Sequence, residues 1–291
     1  MTTLRYVTCD VFTDRRFGGN PLAVVLDADA LTTGQMQAIA REFNYSECTF
    51  VCASETGAGP RVRIFTPRSE LPFAGHPTIG TALMLREIGR IDGPHTVLEE
   101  KAGPVEVTFE AFGGDAVRAE FRAPQAVSVG GKLSRADAAR ALGLEIDAIV
   151  QDPVHAGVGL SFPFVELRDT GALAAASMQP LPAGHPLRDE VYVFTRVTGD
   201  GDLDLRGRLF APGHGIEEDP ATGSAAAALA GLMASERSAE DGEWRWKLGQ
   251  GFEMGRPSRI DLRATKTAGR VSAVHVKGGA VRVMEGTIGI G

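Results

Sequence analysis

Apolar and polar positions change period repeatedly along this 291-residue chain, and a period of two prevails. Residues 4–12 alternate and are rich in β-formers, which predicts a strand; a turn at 17–21 leads into an apolar strand at 22–26. Met36, Ile39, Ala40 and Phe43 then recur at helical spacing behind a Thr32 or Thr33 cap. Residues 48–52 and 62–65 read as buried strands, and 78–88 as a helix closed by Gly89. Strands at 97–100, 105–109 and 117–121 follow, joined by Gly, Pro and Asp turns. Residues 124–132 read as a crossover. Beyond it the pattern predicts a helix from a Ser134 cap to about Leu142, an echo of the one behind Thr32. Strands are predicted at 163–167, 191–195, 208–210, 244–248, 260–263, 271–276 and 280–284, with a Gly/Asp-rich loop at 198–204.

One stretch breaks the alternation. Residues 213–231 read GHGIEEDPATGSAAAALAG: acidic residues, a Pro, a Thr-Gly-Ser turn, then a helix of Ala, Leu and Gly. A helix that is small and apolar on every side has to be buried. Its first turn offers N–H groups and the positive end of the dipole beside Asp219 and Ser224, a place for a small anionic ligand. Alone, the stretch fits a plain cap equally well, with Thr222 or Ser224 capping and Asp219 complementing the dipole.

The chain carries this stretch twice, which favours the ligand. Pro77-Thr78-Ile79-Gly80-Thr81-Ala82 matches Pro220-Ala221-Thr222-Gly223-Ser224-Ala225. Upstream, Arg63-Ile64-Phe65-Thr66-Pro67 matches Arg208-Leu209-Phe210-Ala211-Pro212, and Glu47-Cys48-Thr49-Phe50-Val51 matches Glu190-Val191-Tyr192-Val193-Phe194. The offset stays between 143 and 145 residues, half the chain. Blocks repeated in order at one spacing indicate a duplicated lobe. The predicted fold is therefore α+β: two similar lobes, each a curved, β-barrel-like sheet wrapped around a central helix. The first lobe spans 1–124, with the C-terminal strand 280–291 a candidate to complete it, and the second spans 125–279. The expected site lies between them, with Gly75 and His76 at one helix mouth and Asp219 at the other.

Composition narrows the function. A formal charge of −7 and a pI near 5.5, with scattered basic residues, argue against a nucleic-acid partner. The longest apolar run, 225–234, is too short to span a bilayer, and no apolar leader follows the N-terminus. Cys9, Cys48 and Cys52 form no CxxC and leave one thiol unpaired, so a reduced, cytoplasmic protein is expected. His214, Glu217 and Glu218 match no metal-site spacing.

Candidate chemistry sits at the strand starts and helix mouths. Glu47 heads a buried run; a carboxylate at such a rim can have its pKa raised by desolvation, which suits a proton shuttle. His76 stands directly before a predicted helix N-terminus, whose positive end favours the neutral imidazole. No cysteine lies at either mouth.

Ser46-Glu47, Phe73-Ala74-Gly75-His76-Pro77-Thr78-x-Gly80 and Asp219-Pro220-Ala221-Thr222-Gly223-Ser224-Ala225 resemble the signature of the phenazine-biosynthesis PhzF-like family. Asp10-Val11-Phe12 with Gly19-Asn20-Pro21, and Gln250-Gly251-x-x-Met254-Gly255-Arg256-Pro257-Ser258, are similar too. The resemblance implies a diaminopimelate-epimerase-like fold and an isomerase similar to trans-2,3-dihydro-3-hydroxyanthranilate isomerase. It assigns Glu47 as acid/base, His76 and Asp219 as its assistants, and Asn20, Ser46, Gly75, Gly223 and Ser224 as substrate-binding residues. It further implies a small carboxylate substrate, no cofactor or metal, and a homodimer. A lyase or hydrolase on another small acid remains an alternative on the same residues. A non-catalytic binder is disfavoured, because binding alone needs no proton shuttle.

Overall fold

The computed structural model describes residues 2–114 and 116–290. The chain divides into two units, Met1–Pro124 with Lys277–Gly291, and Gln125–Val276. Both are α+β, and residues 277–279 fall with the first unit rather than the second.

In the first unit, β1 (Thr2–Val11) pairs antiparallel with β2 (Asn20–Val25) on one side and with the C-terminal strand Ala280–Ile290 on the other. β2 runs parallel to β3 (Glu47–Cys52), and α1 (Thr33–Phe43) makes the crossover between them. β3 pairs antiparallel with β4 (Arg61–Phe65), to which the two-residue β5 (Glu70–Leu71) adds before the chain enters α2 (Gly75–Glu87). Beyond β4, and parallel to it, comes β6 (His95–Glu100), followed antiparallel by β7 (Gly103–Ala111) and β8 (Val117–Arg122). α2 packs against β1, β2, β3, β6, β8 and the C-terminal strand, so the sheet curves around it.

α2 can sit this deep because it has no polar face: Gly75 through Leu85 are all buried. Gly80 sets the approach. A Cβ there would stand 2.6 Å from Leu22 Cδ2 and 2.7 Å from Val11 Cγ2, so any side chain would push the helix off β1 and β2.

The second unit repeats the order. β9 (Ser128–Lys132), β10 (Val154–Gly157) and β11 (Ser161–Glu166) pair antiparallel in turn, with α3 (Arg135–Leu142) between β9 and β10. β11 runs parallel to β12 (Val191–Arg196) across α4 (Thr170–Ala175). β12 pairs with β13 (Leu205–Ala211), and the short β14 (Ile216–Asp219) adds to β13 before α5 (Gly223–Ser235). β15 (Gly242–Gln250) lies parallel to β13, with β16 (Ser258–Thr267) and β17 (Arg270–Gly278) beyond. α5 is buried from Gly223 to Ala234 against β10, β11, β15 and β16.

The correspondence reaches single residues. Cys48 opposes Phe65 in one unit, and Val191 opposes Phe210 in the other. Arg63 grips Glu70 with two hydrogen bonds of 2.7 and 2.9 Å and lies over Phe65; Arg208 grips Glu218 at 2.8 and 2.9 Å and lies over Phe210.

Several expectations need correction. The counterpart of α1 is α4, the other crossover between parallel strands, whereas the Ser134-capped α3 is an addition. α2 starts at Gly75 instead of Thr78, because Pro77 falls in the first turn, where a missing N–H costs no hydrogen bond. Residues 128–132 form a strand within the predicted crossover, and residues 216–219 of the acidic cluster form another. α5 ends at Ser235, and β15 begins at Gly242.

Candidate active site

Asn20 opens β2, Glu47 opens β3, and the parallel register sets Leu22 beside Glu47. Gly19 brings the chain into this position with φ of 56°; a Cβ there would lie 2.1 Å from Val11 O. Both strand starts thus lie near the first turn of α2. His76 Nδ1 stands 3.3 Å from Glu47 Oε2 and 3.3 Å from Asn20 Nδ2. The His76 side chain is 3% exposed and that of Glu47 13%. Ser46 precedes Glu47 in the turn, and Gly75 is the first residue of α2.

Burial pushes the His76 imidazole down to about 3, so it is neutral at neutral pH. A neutral imidazole carries one N–H. Asn20 Nδ2 can only donate, so its contact makes His76 Nδ1 an acceptor and places the imidazole hydrogen on Nε2. When Glu47 holds the proton, it too can donate to Nδ1. Among the described residues, His76 Nε2 is buried without a hydrogen-bond partner.

In the second unit, Asp219 ends β14 and is buried one turn before Gly223 and Ser224, the first residues of α5. Thr222 does not cap the helix. Its hydroxyl lies 2.5 Å from Asp219 Oδ2. Gln250 locks this arrangement: its Nε2 donates to the Asp219 carbonyl (2.8 Å) and to Thr222 Oγ1 (3.0 Å). Its Oε1 accepts from Tyr192 Oη (3.0 Å) and from the Thr222 N–H (3.2 Å). All four hydrogen-bonding positions of the amide are used. In the sequence Tyr192 carries no sign of a role, Thr222 reads only as a cap, and Gln250 only as part of a motif. The available signal was Tyr192, a polar group inside a buried strand at the place Thr49 holds in the first copy.

The helix starts separate into two kinds. Thr32, Ser134 and Asp169 each accept a backbone N–H and cap α1, α3 and α4. The two buried helices have no side-chain cap at all. Their first-turn N–H groups, of Gly75 and His76 in α2 and of Gly223, Ser224 and Ala225 in α5, point from a positive helix end with no side chain assigned to them. That geometry suits a ligand's anionic groups and removes the plain-cap reading of Thr222.

Cys9, Cys48 and Cys52 are free and buried, and burial raises all three thiols, away from nucleophilic thiolate. Among the described residues, no group of three or more His, Cys, Asp or Glu side chains could hold a metal ion. No described helix is long and apolar enough to cross a membrane.

This α+β fold is shared with solved epimerase and PhzF-family structures. A hydroxyproline epimerase from Agrobacterium vitis, with bound trans-4-hydroxy-L-proline, superposes with a TM-score of 0.64 at 16% identity, over 99% of this chain and 91% of that one. The PhzF-family phenazine biosynthesis protein of Bacillus anthracis superposes at 0.89, with 28% identity over 100% of both chains. An uncharacterised isomerase of Mesorhizobium japonicum is 38% identical over 99% of both chains. The trans-2,3-dihydro-3-hydroxyanthranilate isomerase of Pseudomonas aeruginosa is 37% identical over 97% of this chain and 98% of its own. The model of the PhzC-PhzF family, phenazine biosynthesis-like proteins, matches residues 9–286, and the chain belongs to that family. It is an isomerase.

Proposed function

We propose that the enzyme moves a proton between carbons of a small cyclic, unsaturated carboxylate, with trans-2,3-dihydro-3-hydroxyanthranilate or a close relative as substrate. The observation that carries this reading is the Glu47–His76 contact at the start of α2. Isomerisation adds and removes no atoms, so the group that takes a proton from one carbon can return it to another. Glu47 takes the hydrogen from the hydroxyl-bearing ring carbon as its C–H bond breaks. The electron pair shifts through the conjugated double bonds, and Glu47 delivers the proton where the new C–H bond forms. The remaining enol relaxes to the ketone. His76 Nδ1 accepts a hydrogen bond from Glu47 once Glu47 holds the proton, and the imidazole stays neutral throughout. Asn20, Ser46 and Asp219 orient the ring substituents, while Gly75, Gly223 and Ser224 hold the anionic and polar groups. The side chains named here supply the acid/base chemistry without a cofactor.

Turnover in deuterated water tests this. Wild type should convert trans-2,3-dihydro-3-hydroxyanthranilate with deuterium uptake at carbon, seen by ultraviolet change and mass spectrometry. Glu47→Gln should keep the fold and bind ligand yet lose turnover by about 10²-fold or more. Retained activity in that variant would sink the acid/base role. His76→Ala and Asp219→Asn should each weaken both binding and rate for the same substrate; if neither moves, the roles are misassigned.

We also propose a cytoplasmic homodimer. Three free, buried thiols fit a reducing compartment. The long C-terminal strand, paired with β1 and carrying half-exposed Met284, offers a surface to a second copy. A monomer mass by light scattering would remove the dimer.

A further inference from the structure

β6 ends in two adjacent carboxyls with opposite fates. Glu99 faces loop 54–58 and accepts from the hydroxyls of Ser54 and Thr56 and the N–H groups of Glu55, Thr56 and Ala58. Those hydrogen bonds, the hydroxyls of Ser54 and Thr56 foremost, hold it down at about 2. Glu100 points to the other side of the strand, is 6% exposed, and meets Thr78 Oγ1 at 2.7 Å. Its Oε2 is buried without a hydrogen-bond partner among the described residues.

The hydrogens around Thr78 can be counted. Thr78 Oγ1 lies 2.8 Å from Ala74 O as well as 2.7 Å from Glu100 Oε1. A hydroxyl has one hydrogen, and the Ala74 carbonyl can only accept. Both contacts are hydrogen bonds only if Thr78 donates to Ala74 and Glu100 donates to Thr78. An ionised Glu100 could only accept, so Thr78 would have to abandon the Ala74 carbonyl or leave a buried anion unsolvated.

The surroundings agree. Burial raises Glu100 to about 8, with the Thr78 hydroxyl opposing, and no charged side chain contributes. The flanking Glu99 turns to its loop, Lys101 lies 3.9 Å from Glu70, and His76 on the same turn of α2 is neutral.

We propose that Glu100 is a positioning residue that works as a protonated carboxylic acid, donating to Thr78 and thereby fixing the Ala74 carbonyl and the first turn of α2 that carries Gly75 and His76. Loss of the Glu100 proton breaks the Glu100–Thr78–Ala74 chain and loosens the turn against which Glu47 works. Glutamine at this position remains a donor at every pH.

Infrared spectroscopy of the wild-type protein tests the protonated state without substrate. A protonated-carboxyl carbonyl band should titrate away with a midpoint near 8 and be missing from Glu100→Gln. Thr78→Val, which removes the acceptor, should shift the same band, so the assignment survives should Glu100→Gln not fold. Turnover, which rests on the reaction proposed above, tests positioning. Glu100→Gln should keep kcat within about twofold of wild type at about pH 6, and run about tenfold faster one unit above the midpoint, where wild type has lost its proton. Glu100→Ala, with no donor, should be slow at both. A band that persists in Glu100→Gln, a band indifferent to Thr78→Val, or an alkaline fall in rate that Glu100→Gln retains would overturn the proposal. A titrating band with no turnover in any form upholds the protonated acid and counts against the reaction.

Discussion

His76 and Glu47 meet at 3.3 Å because neither is free to do otherwise: one is fixed by a buried helix turn, the other by a parallel strand register. Burying a histidine leaves a pH signature. Its folded pKa lies near 3 against an ordinary 6.5, so the unfolded chain binds the proton first as acid is added. The stability tied to neutral His76 is present above about 6.5 and is lost as the pH falls through that window toward 3. His76→Gln should flatten this acid-side slope in unfolding free energy by a few kcal/mol in all, at about 1.4 kcal/mol per pH unit, measured by urea unfolding. Gln250 is the corresponding anchor behind Asp219. Gln250→Leu would leave Tyr192 Oη, the Thr222 N–H and the Asp219 carbonyl without this partner in a buried place, at a cost of about 3 kcal/mol or more in urea unfolding. His76 and Asp219 stand out in the sequence beside Pro77 and Pro220, and Glu47 at the head of a buried run. Gln250 stands in a motif the sequence shows, but its role is not legible there, since its partners lie 58 and 28 residues away and only folding brings them together.

At the scale of elements, the capped and uncapped helices behave differently under the same substitution. Thr32→Ala removes a capping box and should cost about 1 kcal/mol of stability. Thr222→Ala removes no cap; it frees the Asp219 carboxylate from its hydroxyl and should show mainly in substrate affinity. Gly80→Ala forces a methyl into contacts of 2.6 and 2.7 Å on Leu22 and Val11, and should cost about 1–3 kcal/mol by thermal melting. The long elements could be read from period and caps. β9, β10 and β14 could not: they are four or five residues each, and β9 is wholly exposed, so pairing rather than pattern makes them strands. α4 was missed for its length of six residues, although Asp169 marks its start.

The whole molecule is one strand order written twice. The duplication was visible in three sequence blocks, and the paired Arg–Glu–Phe clusters show that the repeat preserved packing as well as letters. What the blocks could not reveal is that the two copies are closed differently. The second unit opens with β9, just ahead of the strands it joins, whereas the first unit takes its outermost strand from the far end of the chain. Deleting residues 277–291 removes the partner of β1 along its whole length, from Thr2 to Val11. The truncated protein should lose the cooperative melting of the first unit and expose it to limited proteolysis, with activity lost at any substrate concentration.

A ribosome therefore releases β1 long before it makes residues 280–290. At about 5–20 residues per second, roughly 15–55 s of synthesis separate the two. For that interval β1 can pair with β2 but presents its other edge bare, a template for any strand nearby. The nascent chain is then at its most sticky, so a chaperone that covers this segment, or a slowed supply of the last codons, should decide how much of the protein reaches its native form. The second unit, whose strands all come from one continuous run, has no such wait.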